Sequence, residues 1–270
     1  MASDEARVLH VESADGTRIG WEVAGDGPPL LLVHGSTADR HRFDAVRDAL
    51  AERFTLHLVD RRGRGLSAAE APSAYALERE AEDIVAVLNA LGPDALVLAH
   101  SYGATCALEA AAAGALVTRL LLYEPAFGTP EGPVFPAAAL ADVEAALARG
   151  DREAALETFF ADVLLTDRAE LEAMRGTPAW QARVAAAHTL AREARAANAY
   201  RADPARFQRI EAPVRLLLGT ETAPALARAT RSAHAAPPGS DLHPLPGHGH
   251  AAMDVDPALF VAEVRAWLDS

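Results

Sequence analysis

ALVLAHSYGA, residues 95–104, joins a buried strand, a tight turn and the start of a helix. Ala95 to Ala99 are apolar without a break, which is typical of a strand buried on both faces of a sheet. Thr105 to Ala113 is rich in strong helix formers, so Ser101 is predicted to lie on the turn between strand and helix. This context makes A-x-S-x-G a variant of the nucleophile elbow, which exposes a serine oxygen above the sheet. Ser101 is therefore the candidate nucleophile.

Short apolar strands alternate with helical segments on both sides of this stretch. The predicted strands are residues 6–13, 17–25, 30–33, 55–60, 95–99, 119–124, 214–218 and 241–245. The predicted helices are residues 44–53, 77–91, 105–113, 224–234 and 257–268. Such alternation predicts an α/β fold with a mainly parallel sheet, helices on both faces and an antiparallel hairpin at its start.

The character of the sequence changes after residue 128. Residues 129–205 contain no convincing strand and consist of alanine-rich helical stretches. We therefore expect an α/β core formed by residues 1–128 and 206–270, with residues 129–205 inserted as a helical cap.

Composition restricts the possible partners and compartment. The 270 residues include 25 basic and 38 acidic side chains, and the net charge of −13 disfavours tight binding to nucleic acid or to an anionic membrane. The overall field also does not attract an acidic substrate. The single cysteine, Cys106, excludes an intrachain disulfide, and no apolar run approaches the length of a membrane span. We expect a soluble cytoplasmic protein that acts on a small molecule.

Four motifs, in their order and spacing, resemble those of the α/β-hydrolase superfamily. They are LLLVHGS at 30–36, VDRRGRGLS at 59–67, LAHSYGA at 98–104 and LPGHGHAAMDVDP at 245–257. The resemblance covers nearly the whole chain and implies the α/β-hydrolase fold with a Ser, acid, His triad. The family pattern G-x-G-H places the catalytic base at His250, and His248 occupies the variable position.

The acid departs from the commonest pattern of the superfamily. Members usually carry an aspartate after the strand at 214–218, but this chain reads Gly-Thr-Glu-Thr-Ala-Pro at 219–224. Some branches, including zearalenone lactone hydrolases, place the acid one strand earlier, where Glu124 ends RLLLYE. A carboxylate at the end of a buried strand is costly unless it is paired, which favours a histidine partner. We assign Glu124, with Glu221 as the reserve.

Two further roles have candidate residues. The backbone N–H groups of Ser36 and Tyr102 are the expected oxyanion-hole donors. Trp180, Phe159, Phe160 and Tyr200 are candidate substrate-binding residues in the cap, and the segment around Trp180 resembles the cap of zearalenone lactone hydrolases.

Other side chains at the predicted strand ends favour structural interpretations. Asp60 is expected to form an ion pair with the neighbouring Arg61, Arg62 or Arg64, and His34 and His100 to pack in loops. The histidines at 243, 248 and 250 lack the accompanying ligands of a zinc site, and no nucleotide-binding motif follows a strand. No metal or cofactor is expected.

These residues predict a serine hydrolase that cleaves carboxylic esters or lactones through an acyl-enzyme on Ser101. Two alternatives remain open at this point. One is a thioesterase or cyclase of secondary metabolism, which would use the same acyl-serine. The other is a hydrolase-fold receptor that binds a ligand with little turnover.

Overall fold

The chain forms one eight-stranded sheet, and the computed structural model describes residues 7–70 and 74–269 apart from the side chain of Glu170. Residues 1–6, 71–73 and 270, which we assigned to the core, lie outside the described residues. The strands are β1 Arg7–Glu12, β2 Arg18–Ala24, β3 Pro29–Val33, β4 Thr55–Val59, β5 Leu96–His100, β6 Arg119–Tyr123, β7 Val214–Gly219 and β8 Asp241–Leu245. Their order is β1-β2-β4-β3-β5-β6-β7-β8. β2 pairs antiparallel with β1 and β4, and the other pairs are parallel.

The helices connect these strands and fill the segment between β6 and β7. They are α1 Asp44–Ala51, α2 Leu77–Leu91, α3 Tyr102–Ala112, α4 Ala137–Ala148, α5 Arg152–Thr158, α6 Arg168–Met174, α7 Pro178–Ala186, α8 Leu190–Ala199, α9 Pro204–Phe207, α10 Pro224–His234, α11 Ala252–Val255 and α12 Pro257–Leu268. A π-helical turn, Phe159–Val163, continues α5. None of the described helices is both long and apolar enough to cross a membrane.

The central strands are apolar along their whole length because both of their faces are covered. In β5, Val97 and Ala99 belong to the core cluster that includes residues of α2, α3 and α10, whereas Leu96 and Leu98 belong to the cluster on the other face, which includes residues of α1 and α12. The same alternation holds in β3. This period of two in side-chain direction produces two core clusters, one on each side of the sheet.

The helical stretch at 129–205 is called the cap segment below. Its described residues form helices α4 to α8 and contribute no strand to the sheet. Helix α9 crosses the predicted end of the segment at residue 205. Residues from this segment and residues from the carboxyl ends of the strands line one cavity. Ligands of open α/β sheets bind at this edge, so the fold places the cap segment over the expected site.

Candidate active site

Ser101 lies between β5 and α3 with φ 58° and ψ −129°, outside the regions that most residues adopt. The turn is tight, because helix α3 begins at the next residue rather than at Thr105 as predicted. Gly103 permits this arrangement, since a Cβ at that position would lie 2.2 Å from the carbonyl oxygen of His34. Gly35 also packs closely against the turn, because a Cβ at that position would lie 2.7 Å from Ser101 Cβ. The structure therefore has the geometry of a nucleophile elbow.

Glu124 follows β6 and binds the histidine predicted to be the base. Its Oε2 lies 2.5 Å from His250 Nδ1, and its Oε1 accepts hydrogen bonds from Gly219 N at 2.8 Å and from Thr222 Oγ1. The Glu124 side chain is 0% exposed, whereas that of His250 is 17% exposed and lines the same cavity as Ser101. The buried carboxylate is thus fully hydrogen-bonded, which removes most of the cost of its burial.

Neither Glu221, the reserve acid, nor His248, at the variable position of the motif, forms this pair. Glu221 is exposed and its Oε1 accepts a weak 3.4 Å hydrogen bond from Thr220 Oγ1. His248 lies on the same loop as His250, and its buried Nδ1 has no hydrogen-bond partner among the described residues. The geometry therefore supports Glu124 and His250 over the alternatives.

His100 and Tyr123, which precede Ser101 and Glu124 in the chain, hold the loop of His250. His100 Nε2 lies 3.0 Å from the His250 carbonyl oxygen, and the two rings lie 4.4 Å apart. The Tyr123 hydroxyl donates to Gly249 O and accepts from Ala252 N. Burial, followed by the nearby His250 and Arg42, lowers the pKa of His100 well below its ordinary value, so His100 is a neutral donor. Sequence reasoning gave His100 only a packing role and missed Tyr123.

The predicted oxyanion-hole donors are free. The N–H groups of Ser36 and Tyr102 find no hydrogen-bond acceptor within residues 7–70 and 74–269. His34 orients the first of them, because its Nε2 accepts from Arg61 N at 3.1 Å and its Nδ1 therefore donates to Gly35 O at 2.8 Å. The N–H of a trans peptide points opposite to its carbonyl, so the Ser36 N–H points away from His34.

The state of His34 agrees with this arrangement. Burial, with Arg64 and Arg61 nearby, lowers the pKa of His34 well below its ordinary value, which keeps the ring neutral. An Nε2 that accepts a hydrogen bond requires this neutral form.

The cavity that Ser101 lines has a volume of about 350 Å³. Phe159 and Phe160, two of the predicted substrate-binding residues, line it together with Leu164, Leu226 and Met174. Leu165 and Val255 also line it and are 66% and 71% exposed, so the cavity opens to solvent beside them.

Two predicted substrate-binding residues lie elsewhere, and the expectation is corrected. Trp180 is 0% exposed in the interior of the cap segment, where its Nε1 donates to Glu153 Oε1 at 2.9 Å. Tyr200 contacts α3, because its hydroxyl donates to Glu109 Oε1. Both aromatic rings stabilise helix packing, a role that residue type alone does not distinguish from contact with substrate.

Strained backbone is concentrated at this site. The non-glycine residues with positive φ in the described parts of the chain are Thr37, Ser101, Glu124 and Leu165. Three of them line the cavity, and Glu124 binds His250. Such conformations cost about 1–3 kcal/mol each and persist where the surrounding structure imposes them, as at functional sites.

A buried network of ion pairs connects the cap segment to the loop after β4. Glu193 of α8 binds Arg61 at 3.0 Å and also binds Arg64. Burial alone would raise the pKa of Glu193, but Arg61 and Arg64 lower it to about 2. Asp60 forms the expected structural ion pair, although with Arg40 at 2.8 Å and not with an adjacent arginine.

The histidine cluster noted in the sequence is dispersed in the structure. His243 binds Glu263 at 2.9 Å, while His250 binds Glu124. Among the described residues, no group of three or more histidine, cysteine, aspartate or glutamate side chains is arranged to hold a metal ion.

Comparison with known families matches residues 30–264 to the α/β hydrolase family. The chain belongs to this family. The match includes Ser36, Ser101, Glu124 and His250, so it spans every element that positions the site.

Similar proteins include proteins named as hydrolases. An α/β hydrolase from Sphaerobacter thermophilus is 31% identical, with a TM-score of 0.77 over 94% of this chain and 99% of its own. An esterase from Rhodococcus is 28% identical, with a TM-score of 0.76 over 97% of this chain and 98% of its own. N-formylmaleamate deformylase from Pseudomonas putida is 37% identical over 127 residues, which span 46% of this chain and only about half, 47%, of that protein. These relatives support hydrolase activity.

Proposed function

We propose that the chain is a serine hydrolase that cleaves carboxylic esters or lactones through an acyl-enzyme on Ser101. The observation that carries the proposal is the buried Glu124–His250 pair at the cavity lined by Ser101. A carboxylate on Nδ1 fixes the imidazole proton there and leaves Nε2 as the basic nitrogen. Two free backbone N–H groups beside the serine supply the donors that acyl transfer needs.

In the acylation step, His250 Nε2 takes the proton of Ser101 as its Oγ bonds to the carbonyl carbon of the substrate. The carbonyl oxygen becomes negative and accepts hydrogen bonds from the N–H groups of Ser36 and Tyr102. Glu124 stabilises the imidazolium that forms. The carbon–oxygen bond to the alcohol then breaks, and the alcohol leaves with the proton held by His250. In a lactone, the alcohol remains attached to the acyl chain.

In the deacylation step, water replaces the alcohol. His250 removes a proton from water, whose oxygen bonds to the acyl carbon, and the same N–H groups hold the second oxyanion. The bond between the carbon and Ser101 Oγ breaks, and the serine recovers its proton. The products are a carboxylic acid and the free enzyme.

Hydrolysis of an activated amide is a second candidate. The observation that favours it is the 37% identity over 127 residues to N-formylmaleamate deformylase. The name of that relative states that it removes a formyl group from nitrogen. The same residues serve both reactions, because His250 would protonate the departing nitrogen in place of the alcohol oxygen.

The test is steady-state turnover of a panel of 4-nitrophenyl esters, lactones and formyl amides by the wild type and by Ser101→Ala. We expect ester or lactone turnover that falls by about 10⁴-fold in the variant. Ser232→Ala, on α10 and outside the cavity lining, is the matched control and should retain full activity. Undiminished turnover by Ser101→Ala would show that another group carries the reaction.

A further inference from the structure

The candidate active-site cavity contains a cation without an anionic partner. Arg183, on α7 of the cap segment, lines the cavity together with Ser101. Within residues 7–70 and 74–269 its guanidinium forms no ion pair, and its one hydrogen bond goes from Nη1 to Thr37 Oγ1 at 3.1 Å. The guanidinium also lies 5.4 Å from the ring centre of Phe160.

Other arginines in the interior are neutralised by carboxylates. Arg61 and Arg62 bind buried carboxylates at 2.7 Å, and Arg64 binds Glu193. Arg42, which also lines the cavity, binds Asp254 at 2.8 Å. Arg183, which is half-buried, differs from these four buried arginines because it has no carboxylate partner among the described residues.

The surroundings of Arg183 leave its charge uncompensated. Burial, followed by the like charge of Arg42, lowers the pKa of Arg183 to about 10, so the side chain stays protonated at neutral pH. The acidic groups that act on it are Asp254, which binds Arg42, and Asp39, which accepts the backbone N–H of His41. An anion that enters the cavity offsets the free-energy cost of this partly desolvated cation.

Thr37 links this cation to the oxyanion hole. It follows Ser36 directly, is 2% exposed and has φ 61°, which is a strained value for a β-branched residue. Its hydroxyl is thereby held against Arg183. A group bound at Arg183 thus shares a cavity of about 350 Å³ with the carbonyl attacked by Ser101.

We propose that Arg183 and Thr37 form a subsite for a free carboxylate of the substrate. The preferred substrates are then esters, lactones or amides that also carry a free carboxylate near the scissile carbonyl. A guanidinium fork binds the two oxygens of a carboxylate well, and one unpaired cation neutralises a monoanion but leaves a phosphate dianion partly uncompensated. This inference deepens the proposed function and rests on it.

Local charge therefore differs from the overall charge. The net charge of −13 repels an acidic substrate at long range, but the screening length in physiological salt is about 8 Å. The cavity is lined by Arg42 and Arg183 and by Asp254 and Glu221, so its charged side chains balance, and Arg183 is the cation there that lacks a direct ion pair.

The kinetic test compares mono-4-nitrophenyl glutarate with neutral 4-nitrophenyl pentanoate. We expect the wild type to prefer the glutarate, and Arg183→Gln to lower the ratio of the two kcat/KM values by about 10–100-fold, mainly through KM for the glutarate. Arg183→Lys should recover part of the ratio. Arg195→Gln, which removes one exposed cap-segment charge on α8, is the matched control and should leave the ratio unchanged. An unchanged ratio in Arg183→Gln would overturn the subsite.

A binding test that needs no turnover separates this inference from the proposed function. Glutarate should raise the thermal midpoint of Ser101→Ala but not that of Ser101→Ala/Arg183→Gln, and neutral glutaramide should have no effect on either. Equal stabilisation by inorganic phosphate would overturn the carboxylate assignment. If ester turnover is absent while glutarate binding depends on Arg183, the proposed reaction is wrong and the subsite stands. If turnover occurs but glutarate does not bind, the subsite is wrong.

Discussion

Replacing Glu124 with glutamine changes one atom of a buried side chain and reverses the hydrogen bond to the base. In the wild type, Glu124 Oε1 accepts from Gly219 N and Thr222 Oγ1, while Oε2 faces His250 Nδ1. The glutamine must keep its oxygen toward Gly219, because an NH₂ group there would face an N–H donor. Its NH₂ group then faces His250 Nδ1 and turns that nitrogen into an acceptor.

The consequence is the wrong imidazole tautomer. A neutral ring that accepts at Nδ1 carries its proton on Nε2 and cannot take the proton of Ser101. The imidazolium also loses its counter-charge. We expect kcat for a 4-nitrophenyl ester to fall by about 10⁴-fold, as in the equivalent change of the serine-protease triad, which is about 5.5 kcal/mol of activation free energy.

The assay is steady-state hydrolysis by the wild type, Glu124→Gln and Glu221→Gln, with circular dichroism and thermal midpoints as folding controls. Glu221 is exposed, and among the described residues its carboxylate forms no ion pair with a histidine, so its variant should retain kcat within about threefold. A folded Glu124→Gln protein with less than a tenfold loss, or a larger loss in Glu221→Gln, would refute the assignment of Glu124 as the triad acid.

Three further results are expected. Thr222→Val should lower kcat by about tenfold, because Glu124 loses a charge-assisted hydrogen bond, and Thr222→Ser should restore it in the same ester assay. Gly103→Ala should lower the thermal midpoint sharply or prevent folding, because the added Cβ would meet His34 O at 2.2 Å; an unchanged midpoint in calorimetry would contradict the close approach. Stability should fall from pH 7 to pH 5, because His34 and His100 stay neutral when folded but take up protons when unfolded below about pH 6.5, at about 1.4 kcal/mol per pH unit for each. Urea titrations with a flat pH dependence would contradict this.

The core of the fold could be predicted because its signals are local. The helices at 77–91, 224–234 and 257–268 and the strand at 241–245 have the predicted bounds, since each ends at glycine, proline or another clear change of pattern. Residues 252–255 were not predicted as a helix, because α11 is too short to show a helical period.

The candidate site could be predicted only as far as motifs and chain order reach. Ser101, Glu124 and His250 follow from the resemblance, and the structure places Ser101 and His250 at one cavity with Glu124 bound to His250. Thr222 and Arg183 could not be found in this way. Their roles depend on contacts with residues 98 and 146 positions away in the chain, and nothing in the sequence marks those contacts.

The same limit explains why Trp180 was wrongly predicted to contact the substrate. Trp180 and Phe159 are both buried aromatic residues of helical stretches, and only the packing of α5 against α7 decides which ring faces the cavity. A helical pattern shows that one face is buried but does not identify what covers it.

Reaction with a fluorophosphonate, followed by mass spectrometry of the intact protein and its peptides, tests the acyl-serine mechanism most directly. We expect one adduct, on the peptide that contains Ser101, which is absent in Ser101→Ala and forms much more slowly in Glu124→Gln. A folded wild-type protein that remains unlabelled, or that carries the adduct on another residue, would contradict a serine nucleophile activated by His250.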